Sequence, residues 1–169
     1  MTISMYEASV PVFAQMLGSL SSLLEKAAAH AQARNIEPSV LLDARLYPDM
    51  FPLSRQVQVA CDAAKNGCAR IAGVEAPKYE DKERSIDELK ARIATTLAFI
   101  GGIAREAIDG QEDREISIPL RDRKLEMKAM PYLLHWVLPN FFFHVTTAYD
   151  ILRHNGVELG KRDYLGKFM

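Results

Sequence analysis

The residues with the clearest chemical potential are an asparagine and a histidine in a dense apolar segment near the C-terminal end of the chain. Asn140 and His144 lie within residues 131–160, PYLLHWVLPNFFFHVTTAYDILRHNGVELG, and are four positions apart. On an α-helix this spacing puts both side chains on one face. An imidazole on such a face is a candidate metal ligand or proton acceptor.

Each of these two residues also has a purely structural interpretation. His144 on a largely apolar helix can be a histidine at the edge of the core, hydrogen-bonded to a neighbouring polar group. Asn140 directly follows Pro139, so it can instead supply capping or turn chemistry at the start of a helix. At the level of the sequence both interpretations stay open.

Other catalytic motifs are scarce. The sequence contains no Gly-rich phosphate loop, no nucleophile elbow and no cysteine that its spacing pairs with a histidine. Cys61 and Cys68 are seven positions apart on a predicted helix, about 10 Å along its axis at 1.5 Å per residue, which is too far for a disulfide. We therefore expect two buried thiols in a reducing compartment, with the cytoplasm as the default location.

Composition and charge exclude several classes of protein. The 169 residues, 49% of them hydrophobic and 25% charged, are typical of one globular domain spanning 1–169. A formal net charge of -1 argues against a nucleic-acid partner, because neutralising phosphates requires a basic face. No segment approaches the ~20 apolar residues of a membrane span, and no signal-peptide pattern opens the chain. We expect neither nucleic acid nor a membrane as a partner.

Apolar residues at three- and four-residue steps predict the helices that position Asn140 and His144. In the last segment, Val137, Phe141 and Val145 begin such a stripe. Strict alternation over 115–129, on both sides of a polar RDRK turn, predicts a two-stranded hairpin. The predicted order is a first helix ending near Arg34, one or two helical turns within 38–45, a second helix over 52–73, a third over 85–109, the hairpin, and a last helix stopped by Gly156. This order describes an all-α four-helix bundle with a long first crossover and a short β-hairpin before the last helix.

The predicted third helix carries two expectations about packing. Its core stripe includes Ile93, Leu97 and Ile100, so truncating Leu97 should destabilise the protein by roughly 2 to 5 kcal/mol, as for a buried leucine. Gly101 and Gly102 would cost about 1 kcal/mol each relative to alanine inside a helix. We therefore expect these glycines at a close helix contact or a bend.

Three segments of the sequence resemble a known family. They are LPNFFFHVTTAYDILRHNGVELGKRDYL at 138–165, RLYPDMFPL at 45–53 and QVQVACDAAK at 56–65. Together with the order of the elements, they resemble the DinB-like superfamily of four-helix bundles, specifically a branch known as a domain of unknown function. The resemblance covers essentially the whole chain and implies the same four-helix fold.

The resemblance also implies part of a metal site. Metal-binding members use one histidine from the second helix and a His-x-x-x-His pair on the fourth to hold one ion. Against that pattern Asn140 takes the first position of the pair and His144 the second, and the second helix has no histidine. At most one expected ligand, His144, remains, and Asp62 or Gln58 would be the best substitutes on the second helix. We expect no cofactor. If a metal is bound at all, the candidate is a divalent nickel or zinc ion.

Two functions from different classes follow. The first is a small-molecule-binding or interaction module with a degenerate ancestral metal site, assembled as a homodimer. The second is a metal-dependent hydrolase or a thiol-dependent transferase with a rebuilt polar site around His144, Asn140, Asp62 and Gln58. The missing ligands favour the first. The aromatic excess of the last helix and the small residues of the second helix favour a symmetric dimer through helices.

Overall fold

Four long helical segments build the structure, a computed structural model that describes residues 3–120 and 122–166. The ends of the predicted 1–169 domain and Arg121 of the expected RDRK turn lie outside the described residues. The elements in chain order are α1 (Val10–Arg34), α2 (Pro38–Asp43), α3 (Leu53–Ala72), α4 (Ile86–Gly101), a 3₁₀ turn (Arg105–Ala107), β1 (Glu115–Pro119), β2 (Lys124–Lys128), α5 (Ala129–Tyr132), a π turn (Leu133–Val137), α6 (Leu138–His154) and α7 (Lys161–Leu165). Since α5, the π turn and α6 follow one another without a break, we call them the long last helix.

Local chemistry sets the helix boundaries close to where the sequence predicts them. Ser85 and Glu88 form a complete capping box at the start of α4, each side chain accepting from the other residue's backbone N–H. At the end of α3, Gly73 has a φ of 69° and its N–H bonds to the last carbonyls of the helix. Asn35 ends α1 in the same left-handed conformation, with a φ of 52°. These caps begin or end the long helices at defined residues. The apolar stripes of the helices then pack against one another.

The packing of these helices confirms the predicted four-helix bundle. α3 packs against α6 and α4, and α1 packs against α4 and α6. α2 and the loop after it form the long first crossover. β1 and β2 pair antiparallel with Ile116 opposite Met127 and Ile118 opposite Leu125, and both isoleucines are buried against the bundle. The hairpin therefore covers the core on one face and leads directly into the long last helix.

The third helix corrects two expectations. α4 ends at Gly101 and does not continue to Asp109, because Gly102 caps it and the chain then turns through a 3₁₀ segment. Of the two alternatives expected for the glycine pair, the bend is the one found, because the chain leaves the helix at Gly102. Gly101 is exposed, and within the described residues nothing beyond its chain neighbours and its own helix backbone lies within 4 Å of a Cβ built there. Leu97 is only half-buried, whereas Leu89 and Ile93 of α4 lie fully inside.

The described helices also bear on membrane insertion. Within residues 3–120 and 122–166, no helix combines the length and the apolar character that crossing a bilayer requires.

Candidate functional site

The π turn is the most unusual feature of the long last helix. Leu138 donates its N–H to the carbonyl of Leu133, the five-residue step of a π-helix. Pro139 follows at once and has no N–H to donate, so this is where an ordinary helical hydrogen bond would be missing. Pro139 thus lies inside a continuous helix, and the interpretation of Asn140 as a helix-start cap is wrong. Single π turns occur often at functional sites.

α3 touches this turn at a glycine. A Cβ built on Gly67 would lie 2.5 Å from Cγ1 of Val137 and 3.3 Å from its Cγ2. Both residues are buried, and only the missing side chain of Gly67 allows the two backbones to come this close. The small residues of α3 are therefore occupied within the chain. They do not form a free surface for the predicted dimer, and that part of the argument for a dimer falls away.

His144 makes its hydrogen bond to a residue that the sequence analysis did not select. Its Nδ1 lies 2.7 Å from Oε1 of Gln56, and Gln56 in turn donates from Nε2 to the carbonyl of Phe51. Because the amide nitrogen of Gln56 is used as the donor, its oxygen accepts, and the proton of the neutral His144 ring sits on Nδ1. Nε2 is then left as an acceptor.

The surroundings of His144 favour this neutral form. Burial, together with the positive charge of Arg55, holds the pKa of the imidazole below its ordinary value. The ring of Phe143 meets the imidazole edge to face, with the centroids 5.2 Å apart. His144 is thus a fixed, neutral imidazole at the edge of the core.

Asn140 faces a different environment. It is exposed, and its Nδ2 donates to the carbonyl of Trp136, 2.6 Å away and one turn earlier. This is a side-chain hydrogen bond back to the carbonyl four residues earlier, as polar residues inside a helix often form. The carboxamide oxygen of Asn140 stays available for a ligand.

Asp62 and Gln58 belong to a polar network beneath α4. Arg92 donates from Nη2 to Asp62 at 3.0 Å and from Nη1 to Glu83 at 2.9 Å, and Gln58 donates to the other oxygen of Glu83. Lys65 lies 3.5 Å from the same oxygen of Asp62. Asp62 is therefore compensated by two cations, and Gln58 points toward the segment that precedes α4.

Glu83 and Arg92 of this network stay charged at neutral pH. Burial alone would raise the pKa of Glu83, but hydrogen bonds from Arg92 and Gln58 outweigh it and hold the pKa below its usual value. Burial alone would likewise lower the pKa of Arg92, but its carboxylate partners Glu83 and Asp62 raise it. Groups that stay charged at neutral pH hold the 74–85 segment in place and do not exchange protons with a substrate.

A crevice opens between α3 and the long last helix, beside the π turn. Its volume is about 170 Å³. Polar and aromatic side chains line it together with three small apolar ones; the residues are Val59, Asp62, Ala63, Asn66, Arg70, Tyr132, Trp136, Val137 and Asn140. We call it the α3–π crevice. Two of the four site candidates, Asp62 and Asn140, meet here, whereas Gln58 and His144 are not among its lining residues.

A hydrogen bond between the helices closes one end of the crevice. Arg70 donates from Nη1 to the hydroxyl of Tyr132 at 2.9 Å. Tyr132 is 1% exposed, and burial raises the pKa of its hydroxyl, although Arg70 opposes the shift. Among residues 3–120 and 122–166, Arg70 forms no ion pair with a carboxylate. The hydrogen bond from His144 to Gln56 joins the same two helices further along.

The sequence contains a signal for this crevice. Asp62, Asn66 and Arg70 are spaced by four on α3, and Tyr132, Trp136 and Asn140 are spaced by four on the long last helix. Each set forms one row on its helix, because residues four apart are neighbours on the helix surface. Two such rows on adjacent antiparallel helices predict a polar groove between them.

The donor set does not fit the metal site that the resemblance implies. Three or four nitrogen, sulfur or carboxylate donors are needed around one point. His144 offers one donor, its Nε2, because Nδ1 is bonded to Gln56. Asn140 contributes a neutral amide outside the core, and Asp62 is held by Arg92 and Lys65. Within the described ranges, no group of three or more His, Cys, Asp or Glu side chains could hold a metal ion.

The two thiols are not arranged as nucleophiles. Cys61 and Cys68 are buried and unpaired, and burial raises the pKa of each thiol to about 12. A thiol is nucleophilic only as the thiolate, which is almost absent at neutral pH for such a group. Both cysteines serve to pack α3 into the core.

Comparison with known proteins agrees with this architecture. The crystal structure of a DinB family member protein from Shewanella denitrificans is 42% identical in sequence to this chain, superimposes with a TM-score of 0.90, and the match covers 96% of this chain and 92% of that one. No curated protein matches the chain. The fold and these helices define a DinB-type four-helix bundle. Residues 5–165 match the family described as domain of unknown function DUF1993, and the chain belongs to that family.

Proposed function

We propose that the protein is a small-molecule-binding module whose site is the α3–π crevice. The observation that carries this proposal is the meeting of Asp62 and Asn140 in one crevice. Asn140 is at the first ligand position of the family pattern, and Asp62 is on the second long helix.

The lining of the crevice supports binding. Concave sites that combine apolar and aromatic walls with a few convergent polar groups are the usual form of small-molecule sites. Here Trp136 and Val59 supply apolar wall, and Asn66 and Asn140 supply amide donors and acceptors. Larger depressions of about 760 and 600 Å³ lie along α1 and α7, but in the first of them the charged groups Lys26 and Asp163 pair with each other.

The alternative enzyme function has less support. A hydrolase or transferase centred on His144 would have to act on a substrate bound in the crevice, and His144 is not part of its lining. Its imidazole could accept a proton at Nε2, but Asp62, the carboxylate of the expected site, is already paired with Arg92. Binding without chemistry accounts for the same arrangement with fewer requirements.

The tryptophan content of the chain allows a direct test. Trp136 is the single tryptophan and it lines the crevice, so its fluorescence reports on this site alone. We expect members of a set of small polar fragments to shift the emission in a saturable manner. Ala63→Leu should fill the crevice and abolish the response, whereas the same substitution at the exposed Ala94 of α4 should not. The proposal would be refuted if no fragment gave a saturable response, or if the Ala63→Leu variant responded as the wild type does.

A further inference from the structure

We infer that the ligand of the α3–π crevice is a small organic carboxylate, held by Arg70. This inference rests on the proposed binding function and adds the chemical class of the ligand. The starting point is the balance of charge along the crevice. Asp62 contributes a negative charge, but Arg92 at 3.0 Å and Lys65 at 3.5 Å compensate it. Arg70 contributes a positive charge with no ion-pair partner in the described part of the chain.

The position of Arg70 makes its guanidinium available to a ligand. The hydrogen bond to Tyr132 uses only one donor, on Nη1, of the five that a guanidinium carries. This hydrogen bond also fixes the side chain at the end of the crevice. A planar, preorganised fork of N–H groups matches the two oxygens of a carboxylate, and such bidentate pairs are among the strongest hydrogen-bonded contacts in proteins.

The size and walls of the crevice define the rest of the ligand. The volume of the crevice is about 170 Å³. It is well below the 300 Å³ or so at which sites for drug-sized ligands begin. Trp136, Val59 and Val137 line the crevice beside Arg70 and would contact a short alkyl or aromatic tail.

The charge available in the crevice suits a carboxylate ligand better than a phosphate. Among the described residues that line the crevice, the cation without an ion-pair partner is the single guanidinium of Arg70, which balances the one charge of a monocarboxylate and not the higher charge of a phosphate at neutral pH. The amides of Asn66 and Asn140 can in addition bond a hydroxyl or carbonyl on the tail. Short carboxylic acids with an apolar or hydroxylated chain are therefore the expected class.

The test compares isosteric ligands by titration of Trp136 fluorescence. Butyrate and butyramide have the same shape and differ in charge, so the Arg70 contact is the main difference between them. We expect butyrate to bind at least tenfold more tightly than butyramide. Arg70→Gln should lower the affinity for butyrate at least tenfold. Arg70→Lys should restore only part of that affinity, because lysine lacks the bidentate guanidinium. Arg34→Gln removes the same charge from the exposed end of α1 and should leave the affinity for butyrate unchanged.

The possible results separate the two proposals. Equal binding of butyrate and butyramide, or unchanged butyrate binding in Arg70→Gln, would overturn the carboxylate assignment and leave the binding function standing. Inorganic phosphate that competes with butyrate and binds more tightly would also overturn it, in favour of a phosphate ligand. No saturable response to either ligand or to the fragment set would refute the binding function itself. Circular dichroism of every variant confirms that the bundle is still folded.

Discussion

Val137 packs directly over Gly67, so closely that a methyl group on residue 67 would lie 2.5 Å from Cγ1 of the valine. This contact joins α3 to the π turn of the long last helix and forms one side of the α3–π crevice. Val137 has one strongly preferred rotamer in a helix and cannot easily turn aside. The distance between the two helices at the candidate site is therefore set by one glycine.

Gly67→Ala should destabilise the protein by about 1 to 2 kcal/mol, because overpacking a core contact outweighs the gain in helix propensity. Urea unfolding at equilibrium measures the difference. Gly18→Ala in α1 is the matched control, since within the described chain a Cβ there would meet nothing within 4 Å apart from its chain neighbours and its own helix backbone. This control should stabilise by about 0.5 to 1 kcal/mol. A stabilising effect at both positions would contradict the close contact.

Two leucines of α4 test the orientation of that helix. Leu89→Ala should cost about 2 to 5 kcal/mol, because Leu89 is fully buried and its truncation leaves a cavity. Leu97→Ala should cost about 1 kcal/mol or less, since Leu97 is half-buried and the space opens toward solvent. The free energies of unfolding of both variants decide the matter, and a larger loss at Leu97 would show that α4 is rotated from the position described.

Protonation of His144 should destabilise the folded protein. Its pKa is lowered in the folded state, so the unfolded chain takes up the proton first as the pH falls. The contribution of His144 is complete above its unfolded value of about 6.5 and is lost as the pH drops through the lower folded value. His144→Asn keeps a donor near the position of Nδ1 but cannot titrate. The pH dependence of unfolding below about 6.5 should thus be shallower in this variant, and parallel curves would contradict the prediction.

Zinc should bind no more tightly than micromolar. The donor set lacks the three or four ligands that a zinc site needs, because His144 can offer only its Nε2 and no second imidazole takes the position of Asn140. Calorimetric titration of the wild type with zinc measures this directly. His144→Ala should instead lower stability through the lost hydrogen bond and the cavity. Stoichiometric, sub-micromolar zinc binding that disappears in His144→Ala would restore the metal-dependent enzyme as the better proposal.

The homodimer remains a prediction that now rests on the last helix alone. Phe143 is 55% exposed, whereas Phe141 is fully buried and Phe142 half-buried, so Phe143 is the aromatic ring available to a second copy of the chain. Light scattering at micromolar concentration should give twice the monomer mass, and Phe143→Ser should reduce it. Val74→Ser removes an exposed apolar side chain elsewhere and serves as the control. A monomeric wild type would end this idea.

The sequence predicts the bundle well because the signals for it are local. The Ser85–Glu88 capping box and the glycine that ends α3 lie within a few residues of the boundaries they determine. The end of α4 was placed too late because apolar residues continue past Gly101 with helical spacing. There the deciding factor was the pair of glycines, whose cost inside a helix exceeds the gain from the few residues beyond.

The candidate site was harder to predict because it depends on how one helix is rotated against another. Gln56 and Gln58 have identical side chains two positions apart, and only the packing of α3 turns Gln56 toward His144 and Gln58 toward Glu83. The π turn was not predicted either, since it is a change in backbone hydrogen bonding that the apolar spacing does not reveal. Pro139 marked its place, but proline there suggested the start of a helix instead.

The π turn makes the length of the long last helix as important as its composition. Removing one residue from 133–137 would restore ordinary α-helix and rotate everything beyond it by about 100° relative to α5. Phe141 and Val145 hold α6 in the core, so the rotation would fall on Tyr132 and carry its hydroxyl away from Arg70. A single-residue deletion or insertion in this segment would therefore separate Tyr132 from Arg70 and open the end of the crevice that their hydrogen bond closes.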